Sequence, residues 1–266
     1  MSLDVTWLTA FLDLPPAVHS DTVAFWLATT GSTVSSARGE AGQFATLLPP
    51  EGTSCLKVQR LDGPARVHLD LHVADLPAAH DRALAAGAIE VAAYATHVIL
   101  RTPGGFVLCL VPHPGGRVPP PVTRPGTGSS RVSQVCLDVP AAGFAAEVDF
   151  LSGLTGWQVR AFPEVDGVVA FEPAAPGGHG ATAGSPSSGV PLRLIVQRLG
   201  AEDPGTATRA HLEFWADDAA AEVERHRGLG ARPVSRGPYW QVLSDPAGLP
   251  YCVIGRDPWT GRRVTA

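Results

Sequence analysis

His68–Asp75 reads HLDLHVAD, and His211–Asp218 reads HLEFWADD. Aligned on their histidines, the two stretches run on in step without a gap. Leu69 meets Leu212, Asp70 meets Glu213 and Asp75 meets Asp218. Farther along, Gly87-Ala88 meets Gly230-Ala231, Pro103 meets Pro246, Gly105 meets Gly248 and Cys109 meets Cys252. Upstream the correspondence continues with gaps. VQRL stands at Val58–Leu61 and at Val196–Leu199, and Leu12-Asp13 pairs with Leu137-Asp138. From those aspartates, equal intervals lead to Phe25 and Phe150, then to Thr30-Gly31 and Thr155-Gly156. A period as long as a domain marks a duplicated fold, not a solenoid.

The first copy spans residues 1–114 and the second 131–258. Between them, 115–130 is rich in Pro, Gly and Ser and reads as a linker. Residues 259–266 are left as a C-terminal tail. Within each copy the pattern divides again. WLTAFLDL and SQVCLDV read as strands, and HSDTVAFWLATTG and GFAAEVDFLSGLTG read as helices closed by glycine. Short strands follow, then the quoted strand, a second helix (AAHDRALAAGA, AAAEVERHRGLGA) and further strands. Each copy is therefore β-α-β-β-β written twice. That order predicts an α+β fold with a curved mixed sheet and helices on its convex side. The Gly-rich stretch Pro176–Gly189 reads as an insertion between two strands of the second copy, able to lie over its cleft.

Composition narrows the function classes. The chain has 266 residues, long enough for two domains with cores of their own. At 45% hydrophobic and 17% charged it has a globular composition. A net charge of −5 with no Lys/Arg run argues against nucleic acid. No apolar run reaches membrane-helix length, and Asp4 and Asp13 interrupt the N-terminus, so neither a span nor a signal peptide is expected. Cys55, Cys109, Cys136 and Cys252 form no CxxC motif and are expected as buried thiols in a cytoplasmic protein.

The order of strand, Phe25-Trp26 helix, Thr-Gly, VQR, HLDLHV, Gly-Ala and YWQVLSDPAGLPYCVI (Tyr239–Ile254) resembles the vicinal oxygen chelate superfamily, and most of all its glyoxalase-like branch. Glyoxalases, bleomycin-resistance proteins and extradiol dioxygenases share this pattern. The resemblance covers nearly the whole chain as two tandem domains. It implies paired βαβββ modules that curve around a cleft. It also implies that the fused copies supply within one chain the interface that single-domain members make by dimerising; a homodimer is the alternative. In enzymatic members a divalent metal sits in the cleft, held from the first, fourth, fifth and eighth strands. Those positions fall on Thr9, Gln59, His68 and Cys109 in the first copy, and on Gln134, Gln197, His211 and Cys252 in the second. Cysteine thus stands where the resemblance expects glutamate. Such a donor set lacks the carboxylates that Mg²⁺, Mn²⁺ and Fe²⁺ favour. His211 with Cys252 suits zinc better, and core-facing apolar cysteines are the plainer alternative.

The repeated strand offers a second set. Period-two alternation places His68, Asp70 and His72 on one face, and His211, Glu213 and Trp215 on the equivalent face of the other copy. Leu69, Leu71 and Val73 point the other way, toward the helices. His68, Asp70 and His72 could bind a metal, or a carboxylate could orient an imidazole for proton transfer. A solvated face of paired charges competes with both. Trp240, with Tyr239 and Tyr251 nearby, adds aromatic surface of the kind that lines ligand pockets. Phe25 and Trp26 are expected in the core. His19, His97, His113, His179 and His226 are expected on the surface or in loops.

Two functions follow. One is a small-molecule binding protein with its working cleft in the second copy, lined by Gln134, Gln197, His211, Glu213, Trp215, Trp240 and Cys252, with Gln59, His68, Asp70 and His72 in the first. It needs no tightly held metal or other cofactor. The other is a metal-dependent lyase, isomerase or dioxygenase with one divalent ion, in which His211 and Glu213 are the best catalytic candidates.

Overall fold

A computed structural model describes residues 5–112, 115–162, 165–173 and 189–264. Most of the expected Pro176–Gly189 insertion, together with His113 and His179, lies outside the described residues. The first half contains β1 (Val5–Leu14), α1 (Pro16–Thr30), β2 (Thr33–Val34), β3 (Phe44–Leu48) and β4 (Leu56–Arg60). It continues with β5 (Arg66–Val73), α2 (Leu76–Ala85), β6 (Ile89–Tyr94), β7 (His97–Arg101) and β8 (Val107–Pro112). A short strand β9 (Val122–Arg124) precedes the second half. That half contains β10 (Gly128–Val139), α3 (Phe144–Thr155), β11 (Gln158–Ala161), β12 (Val168–Glu172) and β13 (Arg193–Arg198). It ends with β14 (Arg209–Ala216), α4 (Ala219–Gly228), β15 (Arg232–Arg236), β16 (Trp240–Ser244) and β17 (Pro250–Gly255).

The sheets run β2-β3-β4-β1-β5-β8-β7-β6 and β11-β12-β13-β10-β14-β17-β16-β15. Each is two βαβββ modules joined along an antiparallel pair, β1 with β5 and β10 with β14. Within a module the first and last strands are parallel. The two orders are identical position for position, so the fold is the α+β tandem that the repeat predicts. No helix among the described residues is long and apolar enough to cross a membrane.

Several repeated residues have local reasons. Asp75 and Asp218 cap α2 and α4, accepting from the N–H of Ala78 (3.0 Å) and Ala221 (2.9 Å). Gly31 and Gly156 end α1 and α3 with φ of 69° and 68°, in the left-handed region that a side chain disfavours.

The halves share one core. Phe25 and Trp26 of α1 reach across to Phe214 and Tyr251 of the other half. Trp26 Nε1 donates to Asp245 Oδ2 at 2.9 Å. In the reverse direction, Glu147 of α3 accepts from Gly104 N at 2.7 Å. Thr29 O, near the end of α1, accepts from Arg225 (2.8 Å) and Arg124 (2.9 Å), which satisfies a carbonyl the helix leaves open. Tyr251 therefore belongs to this core and not to the cleft. His226, expected at the surface, is fully buried beside Glu222 and Tyr251.

The stretches expected as linker and tail carry structure of their own. The 115–130 stretch contains β9, which pairs with Gly128–Ser130 at the start of β10, and Arg131 donates back to Pro119 O. Polar Ser and Thr residues thus extend the strand. The tail also folds back, because Arg256 and Arg263 form a backbone bridge around a turn at Asp257.

Candidate functional site

The repeated strand does face a hollow in each half. In the second half, β14 carries His211 and Glu213 into a cleft of about 440 Å³. Its neighbour β10 presents Cys136 opposite His211 and Gln134 opposite Glu213, while β17 presents Cys252. His211 lies between two carboxylates: Nδ1 donates to Asp138 Oδ2 at 2.8 Å, and Nε2 stands 3.2 Å from Glu213 Oε1. Gln134 Nε2 donates to the other oxygen of Glu213. Cys252 Sγ is 3.6 Å from His211 Nε2. Above this floor the walls are apolar, with Phe162, Ile195, Trp240, Val242 and Ile254. Cys136, Ala170 and Ile195 form a small apolar cluster separate from the main core.

Electrostatics favour a charged imidazole. Burial opposes the imidazolium, but the Cys136 sulfur and the Asp138 carboxylate outweigh it and hold His211 well above the ordinary histidine range. Burial pushes the Cys136 thiol itself well up, and Asp138 is the partner that both faces the ring and accepts its hydrogen bond. Cys252 is raised as well, mainly by burial.

The first half repeats the arrangement around a cleft of about 400 Å³. His68 Nδ1 is 3.0 Å from the Asp13 carboxylate, and Nε2 is 3.8 Å from Asp70 Oδ1. Cys109 lies opposite Asp70 on the next strand, and burial raises both groups. The walls differ between halves. Phe11 stacks on His68 at 4.6 Å in the place of Cys136. Lys57, in the place of Ile195, lies 3.8 Å from Asp70 and 5.0 Å over the Phe11 ring. The chain's lone lysine is thus a cleft residue.

Of the expected ligand-binding set, the second cleft gathers Gln134, Gln197, His211, Glu213, Trp240 and Cys252, and the first gathers Gln59, His68 and Asp70. Two expectations fail. Trp215 is fully buried, and His72 turns its Nε2 to Thr9 Oγ1 at 2.8 Å. Neither lines its cleft, because the far end of this strand is covered. His68, Asp70 and His72 therefore do not converge as a metal triad, and Cys109 takes the third place. The four cysteines are buried free thiols, as expected, and Cys109 and Cys252 also border the clefts. Sequence reasoning missed Asp13 and Asp138 as histidine partners, although the Leu-Asp pair repeats. It missed Cys136, Ile195, Phe162, Arg256 and Arg263, which no repeated motif marks.

A model of the glyoxalase-like domain matches residues 10–111 and again 134–254. The chain belongs to the glyoxalase-like domain family. Both halves are glyoxalase-like domains, in the vicinal oxygen chelate arrangement. The tandem is similar to a mutant of 4-hydroxymandelate synthase from Streptomyces coelicolor, with 14% identity over 96% of this chain and 93% of that one, and a TM-score of 0.59. It is similar to a Mn(II)-bound glyoxalase from Novosphingobium aromaticivorans, with 12% identity over 95% and 81%, at 0.59. It is also similar to an extradiol ring-cleaving dioxygenase from B. fuscum, with 13% identity over 98% and 74%, at 0.61. At such identities the likeness is one of fold. No curated protein matches the chain.

A hard divalent metal fits these glyoxalase-like clefts poorly. Asp138 holds Nδ1 and Glu213 faces Nε2, so the two carboxylates lie on opposite sides of one ring and cannot join it around a single ion. The remaining donors are amides and thiols raised by burial. A thiophilic ion fits better, since the ligand atoms of Cys136, His211 and Glu213 lie within 4.8 Å of one another.

Proposed function

We propose that the second domain binds a small organic molecule in its cleft and does so without a tightly held metal. The carrying observation is the closed polar floor: His211 has a carboxylate at each nitrogen, and Gln134 takes the remaining oxygen of Glu213. Apart from Gln134 Oε1, which is buried without a partner among the described residues, its polar groups are matched to each other, while apolar and aromatic walls leave room for a ligand, the usual composition of a small-molecule site. The charged imidazole gives that ligand a hydrogen-bond donor to exchange for Glu213. In the first domain Lys57 and Phe11 narrow and polarise the equivalent space, which supports the second as the working site.

A second reading, a metal-dependent enzyme of this fold, is supported by the grouping of Cys136, His211 and Glu213, repeated as His68, Asp70 and Cys109. Elemental analysis of protein purified without an affinity tag separates the two. The binding reading expects less than about a tenth of an equivalent of Zn, Mn, Fe or Ni. Near-stoichiometric metal that disappears in His211→Ala overturns it in favour of the enzyme.

A further inference from the structure

The second cleft has a chemical asymmetry that narrows its ligand. The acids of its lining are engaged: Asp138 and Glu213 by His211 and Gln134, and Asp203 by Arg209 at 2.7 Å. Its middle is apolar, with Phe162, Ile195 and Trp240. Two arginines, Arg256 and Arg263, complete the lining. Both are held by the folded-back tail. The backbone bridge fixes their spacing, Asp257 N donates to Arg262 O at 2.8 Å, and Val264 N donates to Gly255 O at 3.3 Å. The Arg263 guanidinium lies 3.1 Å over the Tyr239 ring and forms no ion pair among the described residues. Arg256 donates to Gly261 O and stands 5.7 Å from the Phe162 ring. Two guanidinium groups beside aromatic faces, at the edge of an apolar slot, form a receptor for a flat molecule with an anionic end.

We propose that the second cleft takes an amphipathic anion, an aromatic or polycyclic body carrying a carboxylate, sulfonate or similar group, with the body beside Trp240 and the charge at Arg263 and Arg256. This rests on the small-molecule reading above and names its ligand class. The first cleft also has apolar walls, but it has His97 in the place of Trp240 and Lys57, paired with Asp70, in the place of Ile195, so its middle is polar where that of the second is apolar. The same ligand therefore selects the second domain.

The test compares two probes on the full chain: 1-anilinonaphthalene-8-sulfonate and its uncharged counterpart N-phenyl-1-naphthylamine. They share the aromatic body and differ in the anion. By fluorescence titration the sulfonate binds about tenfold more tightly or better, as one charge-assisted contact allows. Arg263→Gln weakens the sulfonate roughly 5- to 10-fold and leaves the neutral probe within about twofold, since only the charged contact is lost. Arg263→Lys restores part of the loss, and Arg256→Gln adds to it. Trp240→Ala weakens both probes. Equal affinity for the two probes, or sulfonate binding indifferent to both arginine variants, overturns the anion assignment and leaves the cleft reading standing. If neither probe responds to Trp240→Ala, the cleft reading itself falls, and this proposal falls with it. Arg263 is exposed, so its variants are expected to fold, and an unchanged Tm checks this.

Discussion

Trp26 offers a direct test of the shared core. The indole belongs to α1 of the first domain, yet it stacks on Phe214 at 6.0 Å and 14° and meets Tyr251 at 5.4 Å, both in the second domain. It is also essentially inaccessible to solvent. Trp26→Ala removes that packing, at about 3–5 kcal/mol for a buried aromatic. It also takes the Nε1 donor from Asp245, which keeps its bond from Leu249 N at 2.9 Å, so the added cost is about 1 kcal/mol. The sum, roughly 4–6 kcal/mol, is a large fraction of the about 5–15 kcal/mol a domain has to spend. At about 2–4 °C per kcal/mol for a protein near this size, Tm falls by roughly 10 °C or more. Trp26→Phe keeps most of the ring stack and loses the hydrogen bond, so it costs about 1–2 kcal/mol. Calorimetry and urea unfolding followed by circular dichroism read both. Because the residue joins two domains, the whole unfolding transition moves as one. A loss below about 1 kcal/mol for Trp26→Ala, or two resolved transitions of which only one moves, refutes the shared-core reasoning.

Two further predictions concern charge. Burial opposes the charge on Glu222, but Arg225, His226 and Ser130 outweigh it and hold its carboxyl well below the usual range. Its contribution is therefore complete above the unfolded carboxyl value of about 4.3 and is lost as pH falls below it. Glu222→Gln lowers stability by roughly 3 kcal/mol at neutral pH and flattens the acid limb of Tm against pH; an unaltered acid limb contradicts the assignment. In the cleft, Asp138→Asn removes the charge that keeps the proton on His211. Its imidazole titration, followed by NMR, moves down toward the ordinary range, and an unmoved titration would show that Asp138 does not set it.

Much of the architecture was legible because a duplication states its own rules twice. The gap-free run from His68 and His211 carried the two-domain tandem. The period of two on β5 and β14 predicted which side chains face the hollow, and it succeeded at His68, Asp70, His211 and Glu213. The same period failed at His72 and Trp215. Alternation assigns a side chain to a face of the sheet, but whether that stretch of the face is open depends on what covers it from elsewhere in the chain. The cysteines were rightly expected to be buried, but that two of them border a cleft was not legible, since their small apolar character suits a core and a cleft wall equally.

The amino-acid order alone determined the module count, the helix ends at Gly31 and Gly156 and the two faces of the repeated strand, because these depend on the repeat and on neighbours a few residues apart. Only the tertiary structure brought Asp138 to His211 and Asp13 to His68, across paired strands far apart in sequence. It alone folded Arg256 and Arg263 back onto the cleft, and it set Lys57 against Ile195 as the difference between the two hollows. Local backbone preference reaches only a few residues along the chain, whereas the chemistry of a cleft comes from side chains that meet across the sheet.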